Sequence, residues 1–99
     1  MNIIVVREGN KSRIPIIVYN RQPDGLYIQH LQNGNKLKCE LTNIDKEIII
    51  SEEIVVSDSE PALMLDGNIP KGYYFCNIWL TDNNSEKFLI VQNKIINVN

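Results

Sequence analysis

Hydrophobic and polar residues alternate with a period of two over much of the chain, and Ile, Val, Leu and aromatic residues dominate the apolar positions. Successive side chains of an extended strand point to opposite faces, so this pattern predicts half-buried β-strands. The clearest case is Lys36–Thr42: Leu37, Cys39 and Leu41 fall on one side, and Lys36, Lys38, Glu40 and Thr42 on the other. Residues 73–81 form the longest such segment, and further strands are predicted at 2–7, 13–19, 26–32, 47–50, 53–57, 86–92 and 94–98. Ser51-Glu52 separates two short apolar pieces that read equally as one bent strand or a tight pair, and Asn93 interrupts the last two segments. Residues 61–65 are ambiguous: Ala, Leu and Met favour a helical turn, whereas the neighbouring segments favour strand.

Turn residues punctuate these segments. Gln22-Pro23-Asp24-Gly25 combines a preset φ with a glycine, and Asn33-Gly34 favours a type I′ turn that would join 26–32 and 36–42 as a hairpin. Asp66-Gly67-Asn68, Pro70-Lys71-Gly72 and Asp82-Asn83-Asn84-Ser85 mark three more turns. Pro15 cannot donate a ladder hydrogen bond, which places its strand at an edge or a bulge. Seven to nine short strands are expected, with turns about every 8–12 residues and no sustained helical spacing. That is the layout of a small antiparallel all-β sandwich or barrel, in one domain over residues 1–99.

Composition supports a packed core, with 43% hydrophobic residues in 99. A net charge of −2 with scattered basic residues makes no case for a nucleic-acid partner. No apolar run approaches the roughly 20 residues of a membrane helix, so no membrane partner is expected. The start Met1-Asn2-Ile3-Ile4-Val5-Val6-Arg7 lacks the basic and small-residue regions of a signal peptide, and synthesis and retention inside the cell, in the cytoplasm, are expected. In that compartment Cys39 and Cys76 are expected to stay reduced, as small buried hydrophobes. The sequons Asn10-Lys11-Ser12 and Asn83-Asn84-Ser85 would go unused there. The abundance of Ile, Asn and Lys matches an AT-rich genome.

Candidate chemistry is sparse. His30 is the one histidine, and it stands in a predicted strand without cysteine or carboxylate at ligand spacing. It could reach Cys39 across the Asn33-Gly34 hairpin as a base, but Cys39 lies on the apolar face, where a thiol is inert. The acidic groups Glu52-Glu53, Asp58-Ser59-Glu60 and Asp82 with Glu86 lack the spacing of a calcium loop. Neither a phosphate-binding glycine loop nor a G-x-S-x-G elbow is present. The expectation is therefore no enzyme, no catalytic residue, no metal and no cofactor.

The segment Lys71-Gly72-Tyr73-Tyr74-Phe75-Cys76-Asn77-Ile78-Trp79-Leu80-Thr81 carries most of the aromatic content. Period two sorts it into Tyr74, Cys76, Ile78 and Leu80 on one face and Tyr73, Phe75, Asn77 and Trp79 on the other. Glycine followed by Tyr74-x-Cys76 resembles the tyrosine corner of immunoglobulin-like domains, where the tyrosine precedes an inward cysteine by two residues. The resemblance implies a small immunoglobulin-like β-sandwich with Tyr74, Cys76, Ile78 and Leu80 in the core. Antibody-type domains place a tryptophan between their cysteines, whereas Trp79 follows both, so the inter-sheet disulfide is not implied. Tyr73, Phe75 and Trp79 then form an outward aromatic stripe, the candidate interaction surface. Cover of this face by a loop or the chain terminus, or reversal of the inside and outside faces, is the alternative.

Residues 69–74, the alternating strand after them, Thr81-Asp82-Asn83-Asn84 and a return strand ending in Ile90-Val91 resemble the N-terminal domains of phage baseplate upper proteins. Other small immunoglobulin-like phage virion proteins are similar, and Pro23-Asp24-Gly25-Leu26 fits the same layout. About half the chain is covered. The resemblance implies a virion structural protein in capsid decoration or in a tail or baseplate, whose partners are other virion proteins or further copies of itself. A free-standing binding module for carbohydrate or a host protein is the alternative function.

Overall fold

The computed structural model describes residues 3–16, 19–21, 23, 27–29, 31–57 and 61–99. Nine strands form among them, and no helix does. In chain order they are β1 (Ile4–Val6), β2 (Ser12–Pro15), β3 (Tyr19–Arg21), β4 (Tyr27–Gln29), β5 (Lys36–Thr42), β6 (Ile48–Val55), β7 (Ala62–Leu65), β8 (Gly72–Thr81) and β9 (Lys87–Val98). Five of them make one sheet in the order β1-β9-β8-β5-β6, while β2 pairs with β7 and β3 with β4.

The buried residues explain why these segments are strands. Leu37, Cys39 and Leu41 of β5 and Tyr74, Cys76, Ile78 and Leu80 of β8 line the inner face of the large sheet. Leu63 and Leu65 of β7 belong to the same hydrophobic cluster, and half-buried Ile14 of β2 packs against it. The β2–β7 ladder thus shares one core with the five-stranded sheet, an all-β arrangement compatible with a β-sandwich. Residues 62–65 resolve as strand because Leu63 and Leu65 are buried on alternate positions, which a helical turn would not achieve.

Several expectations are corrected. The large sheet is mixed rather than antiparallel, because β1 runs parallel to β9, Ile4 facing Ile96 and Val6 facing Val98. Of the two readings left open at Ser51-Glu52, the single strand is the one found, since Glu40 faces Ser51 and Cys39 faces Glu52 in one ladder of β6. Asn93 does not end a strand. It sits at φ 50° within β9, whose register against β8 shifts twice, so two extra residues are absorbed as bulges and the alternation breaks.

The expected hairpin through Asn33-Gly34 is absent: β4 pairs with β3, and β5 with β6 and β8. Gln32–Asn35 closes instead through Asn35 N–H to Gln32 C=O at 3.1 Å, with positive φ at Gly34 alone (92°). That is the pattern of a type II turn, whereas type I′ needs positive φ at both central residues. Buried Asn35 holds the turn: its Oδ1 accepts from Gln32 N–H at 2.9 Å and its Nδ2 donates to Asn83 Oδ1 at 3.4 Å. Pro15 behaves as expected. Ile16 N–H bonds to Pro61 C=O, so alternation turns the Pro15 nitrogen away from β7 and no ladder bond is lost.

The turn signal at residues 22–25, His30 and the Asp58-Ser59-Glu60 cluster lie wholly or in part outside the described residues.

Candidate functional site

Orientation of β8 decides the candidate site. Tyr74, Cys76, Ile78 and Leu80 are 6, 4, 4 and 1% exposed, so the other face of β8 is the outer one. Tyr73 is 54% exposed there, and Phe75, Asn77 and Trp79 are half-buried. Register extends each position sideways. Tyr73 lies beside Asn97, and Asn97 beside Val5, while Phe75 lies between Ile95 and Thr42, with Ile48 beyond. Trp79 lies between Leu89 and Lys38, with Glu53 beyond, and Thr81 lies between Lys87 and Lys36.

The three aromatics therefore share a face but not a site. Between Phe75 and Trp79 stands Asn77, whose Oδ1 accepts the Asn93 N–H at 2.9 Å, with Glu40 and then Ser51 across the sheet. This polar band leaves a largely apolar patch at the Tyr73 end, where Val5, Ile48, Tyr73, Phe75 and Ile95 are interspersed with Asn97 and Thr42.

At the other end Trp79 lines a groove of about 350 Å³. Lys36, Lys38 and Glu40 come from β5, Glu53 from β6, Thr81 from β8 and Lys87 from β9. Lys38 Nζ meets Glu40 Oε1 at 3.5 Å, while Lys36 and Lys87 are exposed and without an ion pair among the described residues. Three ammonium groups thus face two carboxylates inside a chain whose net charge is −2. In the sequence Lys36 and Lys38 read only as the polar side of an alternating strand, and Lys87 stands out by no pattern. The available signal was the run Lys-x-Lys-x-Glu, but which strand it lies against is a tertiary fact.

The remaining candidate groups do not converge. Burial pushes the Cys39 thiol up to about 12, with smaller contributions from Cys76 and Glu52, and burial pushes Cys76 up to about 11. Both stay protonated and free, which removes them as nucleophiles near neutrality. Cys39 faces Ile78 and Cys76 faces Leu41, so the thiols are diagonal neighbours in one sheet. Diagonal positions lie about 7–8 Å apart, beyond the roughly 4.4–6.8 Å that a disulfide spans.

Glu52 and Glu53 point to opposite faces of β6. Asp82 Oδ1 is engaged by the N–H groups of Asn84 and Glu86 at 2.8 and 2.9 Å, so it closes its own loop. A second hollow of about 260 Å³ opens between the layers beside Ile14, Leu63, Cys76 and Lys94, and contains none of the expected site residues.

No protein family, no curated protein and no solved structure matches the chain.

Proposed function

We propose that this chain is a non-enzymatic structural and interaction protein with an immunoglobulin-like sandwich, a phage virion component that acts through protein–protein contacts on its outer sheet face. Strand order supports the fold reading. Immunoglobulin-like sandwiches put strands G, F and C side by side in one sheet, add C′ in the variable type, and pair B with E in the other. Reading β2, β5, β6, β7, β8 and β9 as B, C, C′, E, F and G reproduces both the neighbours and the chain order. Tyr74 OH donates to Pro70 C=O, four residues upstream, at 2.7 Å, the bond a tyrosine corner makes.

One observation carries the functional reading. Val5, Ile48 and Tyr73 are 58, 58 and 54% exposed on the outer sheet face, where they and half-buried Phe75 and Ile95 are interspersed with Asn97 and Thr42. Clustered apolar and aromatic surface of this kind marks contact sites. The weak likeness to phage virion proteins supplies the setting. The test is to purify particles from the source strain on a density gradient. The chain should band with them, and the Tyr73→Ser/Ile48→Ser double variant should not. A chain that stays at the top of the gradient as a monomer sinks the proposal.

The second reading is a free-standing binding module for carbohydrate or a host protein. It is favoured by the Trp79 groove, where an aromatic ring is presented among hydrogen-bonding side chains.

A further inference from the structure

We propose that the Trp79 groove binds an acidic saccharide, a chain of carboxylate-bearing sugar rings that lies on the indole and places its acid groups on Lys36 and Lys87. The inference takes up the carbohydrate reading of this groove and is independent of the Tyr73 patch, so the two stand or fall separately.

Three features carry it. The first is volume: about 350 Å³ falls within the roughly 300–1,000 Å³ of small-molecule sites. Second, Trp79 is half-buried in the wall of this groove, where an indole offers an apolar surface to the C–H face of a sugar ring.

The third is charge arrangement. Lys36 and Lys87 flank Thr81 from the strands on either side of β8. Two strand spacings separate their backbones, about 10 Å, a span that fits acid groups on separate rings of one oligosaccharide. Both are exposed and free of ion pairs among the described residues, so neither gives up an ion pair to a described residue on binding an anion. Glu40, Glu53 and Thr81 supply the complementary element. Their oxygens accept hydrogen bonds from sugar hydroxyls, and the two carboxylates repel a dense polyanion. A groove with three positive and two negative groups suits a ligand that mixes acid with hydroxyl groups, and disfavours polyphosphate or nucleic acid.

Trp79 is the one tryptophan of the chain, so its emission reports this groove alone. The full chain is titrated with β-1,4-linked tetraglucuronate, with cellotetraose, which bears CH₂OH in place of each carboxylate, and with tripolyphosphate. Tetraglucuronate should shift the emission saturably, cellotetraose should bind at least tenfold more weakly, and tripolyphosphate should not displace the acidic sugar. The Lys36→Gln/Lys87→Gln variant alters exposed side chains only and should unfold at the same urea concentration. It should weaken tetraglucuronate binding about tenfold, the size of two exposed charge contacts. Trp79→Ala, followed by calorimetry, should abolish the binding heat while circular dichroism verifies the fold. The proposal is overturned by no saturable shift with tetraglucuronate, by equal binding of the neutral chain, by displacement with tripolyphosphate, or by undiminished binding in the folded lysine variant.

Discussion

Tyr74 fixes the start of β8 in two ways. Its ring is buried in the core beside the Ile96 position, and its hydroxyl satisfies the Pro70 carbonyl in the turn before the strand. Tyr74→Phe keeps the ring and orphans that carbonyl, so it should cost about 1–1.5 kcal/mol, read as a lower urea midpoint at unchanged m-value. The thiols make a second residue-scale prediction. Both fold with values raised above the 9.0 of an unperturbed cysteine, to about 12 for Cys39 and about 11 for Cys76. Below pH 9 both states are protonated, and the contribution to stability is fully present. As pH rises above 9 the unfolded chain ionises first, so this contribution declines until pH passes the folded values. Urea midpoints from pH 8 to 11 should fall more steeply for the native chain than for Cys39→Ala/Cys76→Ala, and Ellman's reagent should label the thiols at pH 8 only in denaturant. That Cys39 and Cys76 are buried was legible in the sequence, because each alternates with aliphatic residues on one face.

Among the strands, β6 is one of the two edges of the large sheet, with β1 at the other. Its ladder with β5 uses the inward positions Ile50, Glu52 and Ile54, so alternation leaves the N–H and C=O groups of Ser51, Glu53 and Val55 directed away from the sheet. An eight-residue edge rich in Ile and Val invites pairing with another chain, and two central carboxylates on opposite faces oppose it. Glu52→Val/Glu53→Val should therefore raise light scattering and thioflavin fluorescence at concentrations where the native chain stays clear; a clear solution of the variant would refute this role. Two hairpin loops share one construction. Asn43 Oδ1 accepts from the N–H groups of residues 45 and 47, and Asp82 Oδ1 from those of 84 and 86. Lys46 and Ser85 follow at φ 64° and 65°. Asp82-Asn83-Asn84-Ser85 was legible as a loop because such side chains compete with the ladder for backbone N–H groups. The course of β9 was not legible, since its bulges discard the period-two signal at Asn93.

For the whole molecule, a sheet of five strands shares its core with a ladder of two. One face of the large sheet is buried, and the residues of the other are half-buried or exposed. That asymmetry is why β5 and β8 alternate so cleanly, and why the sequence alone determined an all-β chain and sorted Leu37, Cys39 and Leu41, and Tyr74, Cys76, Ile78 and Leu80, onto single faces. Burial in the folded chain decides that the Tyr74 set faces inward and Tyr73, Phe75 and Trp79 outward. Period two specifies a face and nothing about neighbours. Which strands pair, and in which register, depends on contacts between residues far apart in the chain, each compatible with many local patterns. Only the tertiary structure could therefore decide that β1 runs parallel to β9, that β4 leaves β5 to β6 and β8, and that Asn77 and Glu40 part Phe75 from Trp79. The same registers bring Lys36 from one side and Lys87 from the other to the strand that carries Trp79, because a groove is assembled across strands while a sequence pattern is written along them.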